Sequence, residues 1–90
     1  ISDIIRCESD NTYTTFFLNE NRKVLVSRTL KDVESMLSEY NFCRIHNSHL
    51  INLAYVIEYF RGEGGQVKLS DGAIVDVSRR RKEELLSHLK

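Results

Sequence analysis

The chain has no proline, no tryptophan, only two cysteines and four glycines, and no net formal charge over its 90 residues. It also lacks any internal repeat, any low-complexity run, and any apolar stretch near the roughly 20 residues that a membrane-spanning helix needs. Without proline there is no proline-rich linker to divide it. Its length suits one small domain with a modest core. A hydrophobic content of 41% is ordinary for a folded protein and argues against disorder. Cys7 and Cys43 form no CxxC pair and no dense framework. They are expected as free thiols in a cytoplasmic protein, with a bridge between them left open. Zero net charge counts against nucleic-acid binding, because phosphate neutralisation supplies much of the affinity of such proteins. The distribution tempers this: Arg79, Arg80, Arg81 and Lys82 are consecutive, whereas the acids are scattered. A neutral total is compatible with one positive face.

What is present reads as short strands separated by turn signals. Ile1–Cys7 is a strand candidate, Glu8–Thr12 a polar turn, and Thr14–Leu18 a strand rich in β-branched and aromatic residues. Asn19–Arg22 is a tight polar connection to a return strand, Lys23–Ser27. Thr29 with Asp32 three residues later forms a capping box, and Leu30, Val33, Leu37 and Tyr40 then fall on one helical face, with Met36 beside them. Further strands are expected at Val56–Arg61, Gln66–Leu69 and Ala73–Val77, joined by the Gly62–Gly65 turn and an Asp71-Gly72 hairpin signal. The pattern then changes: Leu85, Leu86 and Leu89 are spaced for a terminal helix over Arg79–Lys90, with Ser78 as its N-cap. Arginines in its first turn oppose the helix macrodipole, and a bound anion at that end relieves the conflict; a solvated basic turn is the plainer account. The expected fold is mainly β, with small antiparallel sheets, one central short helix and a C-terminal helix. Phe16, Ile45, Leu50, Ile51, Val56, Ile57 and Leu69 are expected in the core.

The most informative stretch is Phe42–Asn52, F-C-R-I-H-N-S-H-L-I-N. It reads as a strand, a polar turn at His46–Ser48 and a second strand from His49. Arg, His, Asn and Ser all donate hydrogen bonds, and no acid is present. Such a turn suits an electron-rich partner, such as phosphate oxygens or the acceptor edges of bases. Its plain alternative is a β-turn whose Asn and Ser satisfy local backbone groups.

Arg44, His46, Ser48 and Asn52 match the Arg-x-His-x-Ser-x-x-x-Asn pattern of LytTR-type DNA-binding domains, which this chain resembles. The resemblance extends to V-S-R-R-R-K at Val77–Lys82 and C-E-S-D-N-T-Y-T at Cys7–Thr14, so it covers nearly the whole chain. It implies a domain that binds double-stranded DNA through loops, as the C-terminal output domain of a bacterial response regulator. It implies DNA contact by His46 and Asn47, and a base-contacting arginine after the last strand, Arg80 before Arg79. Arg81 and Lys82 are then backbone contacts, and Asn11 and Tyr13 form a third, looser region. Arg44 either braces the loop by pairing with an acid or touches phosphate; Ser48 and Asn52 are expected to hold the turn. Residues 1–90 are read as a single domain of a longer regulator, with a receiver domain upstream and usually one more strand before Ile1. Dimers on paired DNA repeats, and bent DNA, belong to the same expectation.

Other chemistries find less support. Cys43, His46 and His49, with Cys7 as a fourth ligand, have the atoms for zinc, but the paired spacing of a zinc site does not recur, so no metal and no cofactor is expected. No Asn or Asp can be tied to a Cys–His pair, and the Gly62–Gly65 turn lacks the Lys-Ser/Thr of a P-loop, so no enzyme is expected. The main rival is a β-type protein-interaction module.

Overall fold

The computed structural model describes residues 1–89. Its elements in order are β1 (Ile4–Asp10), β2 (Tyr13–Leu18), β3 (Arg22–Val26), α1 (Leu30–Met36), β4 (Phe42–His46), β5 (His49–Asn52), β6 (Val56–Phe60), β7 (Gln66–Leu69), β8 (Ile74–Asp76) and α2 (Lys82–His88). Short 3-10 turns at Leu53–Tyr55 and Arg79–Arg81 precede β6 and α2.

Two antiparallel sheets result. One has the order β3-β2-β1-β5-β4 and the other β6-β7-β8. The larger sheet buries both faces. On one side Ile4, Cys7 and Leu50 pack against Leu30, Val33 and Leu37 of the α1 region. On the other, Ile5, Cys43, Ile45 and Ile51 pack with Val67, Leu69, Val75, Val77 and Leu85, from the smaller sheet and α2. Strict alternation would put Ile5 and Cys7 on the same face. The register shift between Ile4 and Arg6 explains why they differ, because a bulge turns later side chains over. Arg6 then lies on the inter-sheet side. Its Nε donates to Asp71 Oδ2 at 2.9 Å, its Nη1 to Glu8 Oε1 at 3.0 Å, and its guanidinium carbon stands 3.6 Å from the Phe17 ring centroid.

Local signals act as their chemistry requires. The Thr29 hydroxyl accepts from the Asp32 N–H at 3.2 Å, forming the N-cap. Gly72 turns the β7–β8 hairpin at φ 88°, and Asp71 Oδ1 accepts from the Ala73 N–H. Gly64 is the point of closest approach: a Cβ there would lie 1.9 Å from the Val77 carbonyl oxygen.

Several expectations are corrected. Glu8–Asp10 are strand, not turn, because β1 is paired on one side by β2 and beside Glu8 by β5. Only Asn11 and Thr12 turn. α1 ends at Met36; Met36 and Tyr40 are exposed, while Leu37 caps the helix and is buried. Ile57 is 58% exposed rather than core, because it falls in the register shift between Val56 and Glu58, while Val56 and Tyr59 of the same strand pack against the core. Phe16 and Val56 are only partly buried. The C-terminal helix begins at Lys82, and Lys90 lies outside the described residues. Ser78 makes no side-chain cap bond. α2 has Arg81 at its N-cap and Lys82 as its first residue, and Glu83 and Glu84 in its first turn, which the macrodipole favours, offset the expected conflict. Among the described residues, no helix is long and apolar enough to cross a membrane.

Candidate nucleic-acid interface

Three loops meet at one end of the larger sheet, and the strand register shows why. His46 pairs with His49, which pairs across β5 with Glu8 of β1. The Ser9 N–H donates to the Ser48 carbonyl at 3.0 Å, so the β1–β2 tip projects beside the His46–Ser48 turn. The Ser78 N–H donates to the Ile45 carbonyl at 2.8 Å, which seats the start of the arginine run against the last residues of β4. His46, Asn47, Asn11, Tyr13 and Arg79–Lys82 therefore border one end of the molecule.

The β4–β5 turn is held from below. Arg44 Nη1 donates to Glu34 Oε1 at 2.7 Å, Nε to the His46 carbonyl at 2.8 Å and Nη2 to the Asn47 carbonyl at 2.7 Å. Of the two uses open to Arg44, this is the brace. The guanidinium fork ties α1 to two successive carbonyls, which a lysine cannot reproduce. The Ser48 N–H donates to His46 Nδ1 at 3.0 Å. With Nδ1 accepting, the neutral ring carries its proton on Nε2, leaving an N–H to donate outward. Ser48 thus steadies the turn through its backbone. Asn52 does not hold this turn: at the far end of β5 its Oδ1 accepts from the Ala54 N–H, and its Nδ2 donates to the Ile4 carbonyl.

The basic run divides. Arg79 and Arg80 are exposed, and Arg79 Nη1 lies 3.8 Å from Glu63 Oε2 in a fully solvated pair. Among the described residues no acid lies within ion-pair distance of Arg80 or Lys82. Arg81 turns partly inward, its Nε buried without a hydrogen-bond partner. At the third loop, Asn11 takes φ 59°, a conformation that Asn tolerates better than most residues, and Tyr13 is 44% exposed.

Arg28 was missed by sequence reasoning. Its carbonyl accepts from the buried Thr14 hydroxyl at 2.8 Å, and Thr14 pairs with Val26, so exposed Arg28 belongs to the same end. The signal was the hairpin register, which returns the end of β3 to the start of β2.

His46 and His49 lie with ring centroids 5.3 Å apart. Burial lowers the His49 pKa from its ordinary 6.5 against the opposing pull of Glu8, and its Nδ1 is buried without a hydrogen-bond partner. Cys7 and Cys43 are both free thiols packed on opposite faces of the sheet, so they form neither a bridge nor a shared ligand set. Burial pushes the Cys7 thiol up to about 12. Burial, aided by Glu84, pushes Cys43 up to about 11.

The described residues thus form a β scaffold that gathers donor-rich loops at one sheet end, beside the 3-10 turn and the start of α2. The chain belongs to the LytTr DNA-binding domain family, which it matches over residues 1–90. It is 32% identical over 88 residues to two proteins of Paraburkholderia xenovorans (strain LB400), the heme-containing CO-sensing transcriptional regulators RcoM 1 and RcoM 2. The alignments cover 94% of this chain and 33% of each regulator, so the chain spans about a third of their length. Among solved structures, the LytTr DNA-binding domain of a response regulator from Bacillus cereus superposes with a TM-score of 0.85 at 19% identity, covering 98% of this chain and 82% of that one. That likeness establishes the shared fold.

Proposed function

We propose that residues 1–90 act as a single sequence-specific, double-stranded-DNA-binding output domain of a bacterial transcription regulator, in the cytoplasm. The His46–Ser48 turn and the Arg79–Lys82 segment enter neighbouring grooves. The observation that carries this reading is the Ser78–Ile45 backbone bond, which sets the arginine run beside the His46 turn. His46 donates from Nε2 to a guanine acceptor or a phosphate, and exposed Asn47 suits adenine. Arg80, with no acid within ion-pair distance among the described residues, is the leading base contact, with Arg79 second. Lys82 and Arg28 neutralise phosphate, and Asn11 and Tyr13 extend the contact along the duplex. Arg44 serves the interface from behind, as the brace of the turn. Loops reaching successive grooves favour a bent duplex. Dimeric binding to paired repeats, and control by an upstream receiver domain, complete the proposal.

Selection from a random duplex library with the purified domain tests this. A recovered repeat motif is the expected result. Phosphate neutralisation by Lys82 and Arg28 predicts that log affinity falls with log salt at a slope of about −2 per domain. The second reading, a protein-interaction module, draws on edge strand β3, where Val24 is 47% and Leu25 59% exposed. No enriched sequence, and partner binding indifferent to salt, would favour it.

A further inference from the structure

We propose that Cys43, Glu84 and His88 form a binding site for a thiophilic divalent cation, zinc being the best fit, that staples α2 to the larger sheet. The Cys43 thiol, a Glu84 carboxylate oxygen and a His88 ring nitrogen all lie within 4.8 Å of one another. The site uses none of the residues assigned to the proposed DNA contact, although Glu84 follows Lys82 by two positions on α2.

The fold brings these three together for separate reasons. Cys43 is on β4, facing the core that α2 closes, and is only 2% exposed. Leu85 is fully buried in that same core and fixes the rotation of α2. Glu84 and His88 are four residues apart, so they stack on one side of that helix a turn apart. Once Leu85 is seated, the neighbouring Glu84–His88 row passes over Cys43. Its thiol now points weakly at the Arg44 carbonyl, with Sγ to oxygen 3.8 Å.

The donor set selects the metal. One thiolate, one imidazole and one carboxylate suit a borderline cation such as zinc and disfavour magnesium or calcium, which take oxygen alone. Zinc–ligand bonds of about 2.0–2.3 Å place tetrahedral donors about 3.3–3.8 Å apart. The present spread needs a closure of about an ångström, which the exposed Glu84 and His88 side chains supply by rotation about their own bonds. Binding exchanges the Cys43 S–H bond for a sulfur–metal bond and releases that proton to solvent. Three protein ligands leave a fourth position to water.

The test uses the reduced domain with Zn²⁺, and with Co²⁺ as a spectroscopic stand-in. The expected results are one ion per chain, a near-ultraviolet sulfur-to-cobalt charge-transfer band displaced by Zn²⁺, and a thermal midpoint raised by roughly 10 °C or more at a hundredfold excess over Kd. His88→Ala and Glu84→Gln alter exposed positions, so both variants stay folded, as circular dichroism verifies. Each should weaken binding at least tenfold, and Cys43→Ala should abolish the charge-transfer band. Absence of the band from the reduced wild-type domain overturns the proposal. So does undiminished affinity in His88→Ala and Glu84→Gln, which would place the ion elsewhere.

Discussion

Replacing Arg44 separates a brace from a phosphate contact. Arg44→Ala removes three hydrogen bonds: one to the half-buried His46 carbonyl, one to the Asn47 carbonyl at the surface, and one to Glu34, whose side chain is 39% exposed. A charged donor on a partly buried carbonyl contributes about 1.5–3 kcal/mol. The exposed bond and the solvent-screened pair add about 0.5 kcal/mol each. The expected destabilisation is therefore about 3 kcal/mol, read as a shift in the urea midpoint with an unchanged m-value. DNA affinity should fall about tenfold, because the turn loses its fixed shape. The salt dependence of DNA binding is the discriminating measurement. A brace leaves the slope of log affinity against log salt unchanged, whereas a lost phosphate contact reduces it by about 0.9. Arg44→Lys keeps the charge but not the fork, so it should behave as Arg44→Ala does. A slope lowered by about one unit with stability intact, or full rescue by lysine, would refute the bracing role.

Three further outcomes are expected. Arg80→Ala should lose about 1–3 kcal/mol of DNA affinity and relax preference at one position of the selected site; an equal loss on all sequences would make Arg80 a phosphate contact. Gly64→Ala drives a Cβ against the Val77 carbonyl oxygen, backbone against backbone, and should destabilise by about 3 kcal/mol or more in chemical denaturation; a near-wild-type midpoint would contradict the packing described. His49 titrates below its ordinary 6.5 chiefly through burial, opposed by Glu8 and Asp76 and reinforced by His46 and Arg6. The unfolded chain takes up that proton first, so His49 has no effect on stability well above pH 6.5 and lowers it as pH falls below 6.5, levelling off beneath the folded pKa. His49→Gln should flatten that acid limb.

Legibility followed the range of the interactions involved. Thr29 with Asp32, Asp71 with Gly72, and the strand–turn–strand pattern around His46 each depend on a few neighbouring residues, and each was readable. Glu8–Asp10 were misread because their strand state comes from β2, fifth-strand pairing beyond position 48 and the Ser9–Ser48 bond, none of it local. Ile57 reads as core because its apolar side chain does not reveal the register shift between Val56 and Glu58, which is set by pairing with β7. At the interface, the polar turn and the basic run were visible as residue types. That they adjoin rests on the Ser78–Ile45 bond across 33 positions, and Arg28 joins them only through the β2–β3 register. Asn52 was grouped with the turn by sequence proximity, although β5 carries it to the opposite end.

The neutral total charge, which stood against DNA binding, loses force once charges are placed on the sheet. Asp3, Glu20 and Glu39 lie at or near the end where β1 and β4 begin and β2 turns into β3. Arg28, Arg80 and Lys82 lie at the other end, with no acid within ion-pair distance among the described residues. A seven-residue strand such as β1 separates the two ends by about 20 Å. The screening length at physiological salt is about 8 Å, so a phosphate at the loop end is screened from the distant acids and feels the near cations. Of the acids that share the loop end, Glu8 is engaged by Arg6 and Glu63 loosely by Arg79, whereas exposed Asp10 beside Asn11 and Glu83 beside Lys82 make no ion pair among the described residues and offset part of the positive field. Reversing Glu20 to lysine should therefore change DNA affinity much less than reversing Arg80 to glutamate, although both alter net charge by two. Equal effects would mean that total charge, not its placement, governs binding.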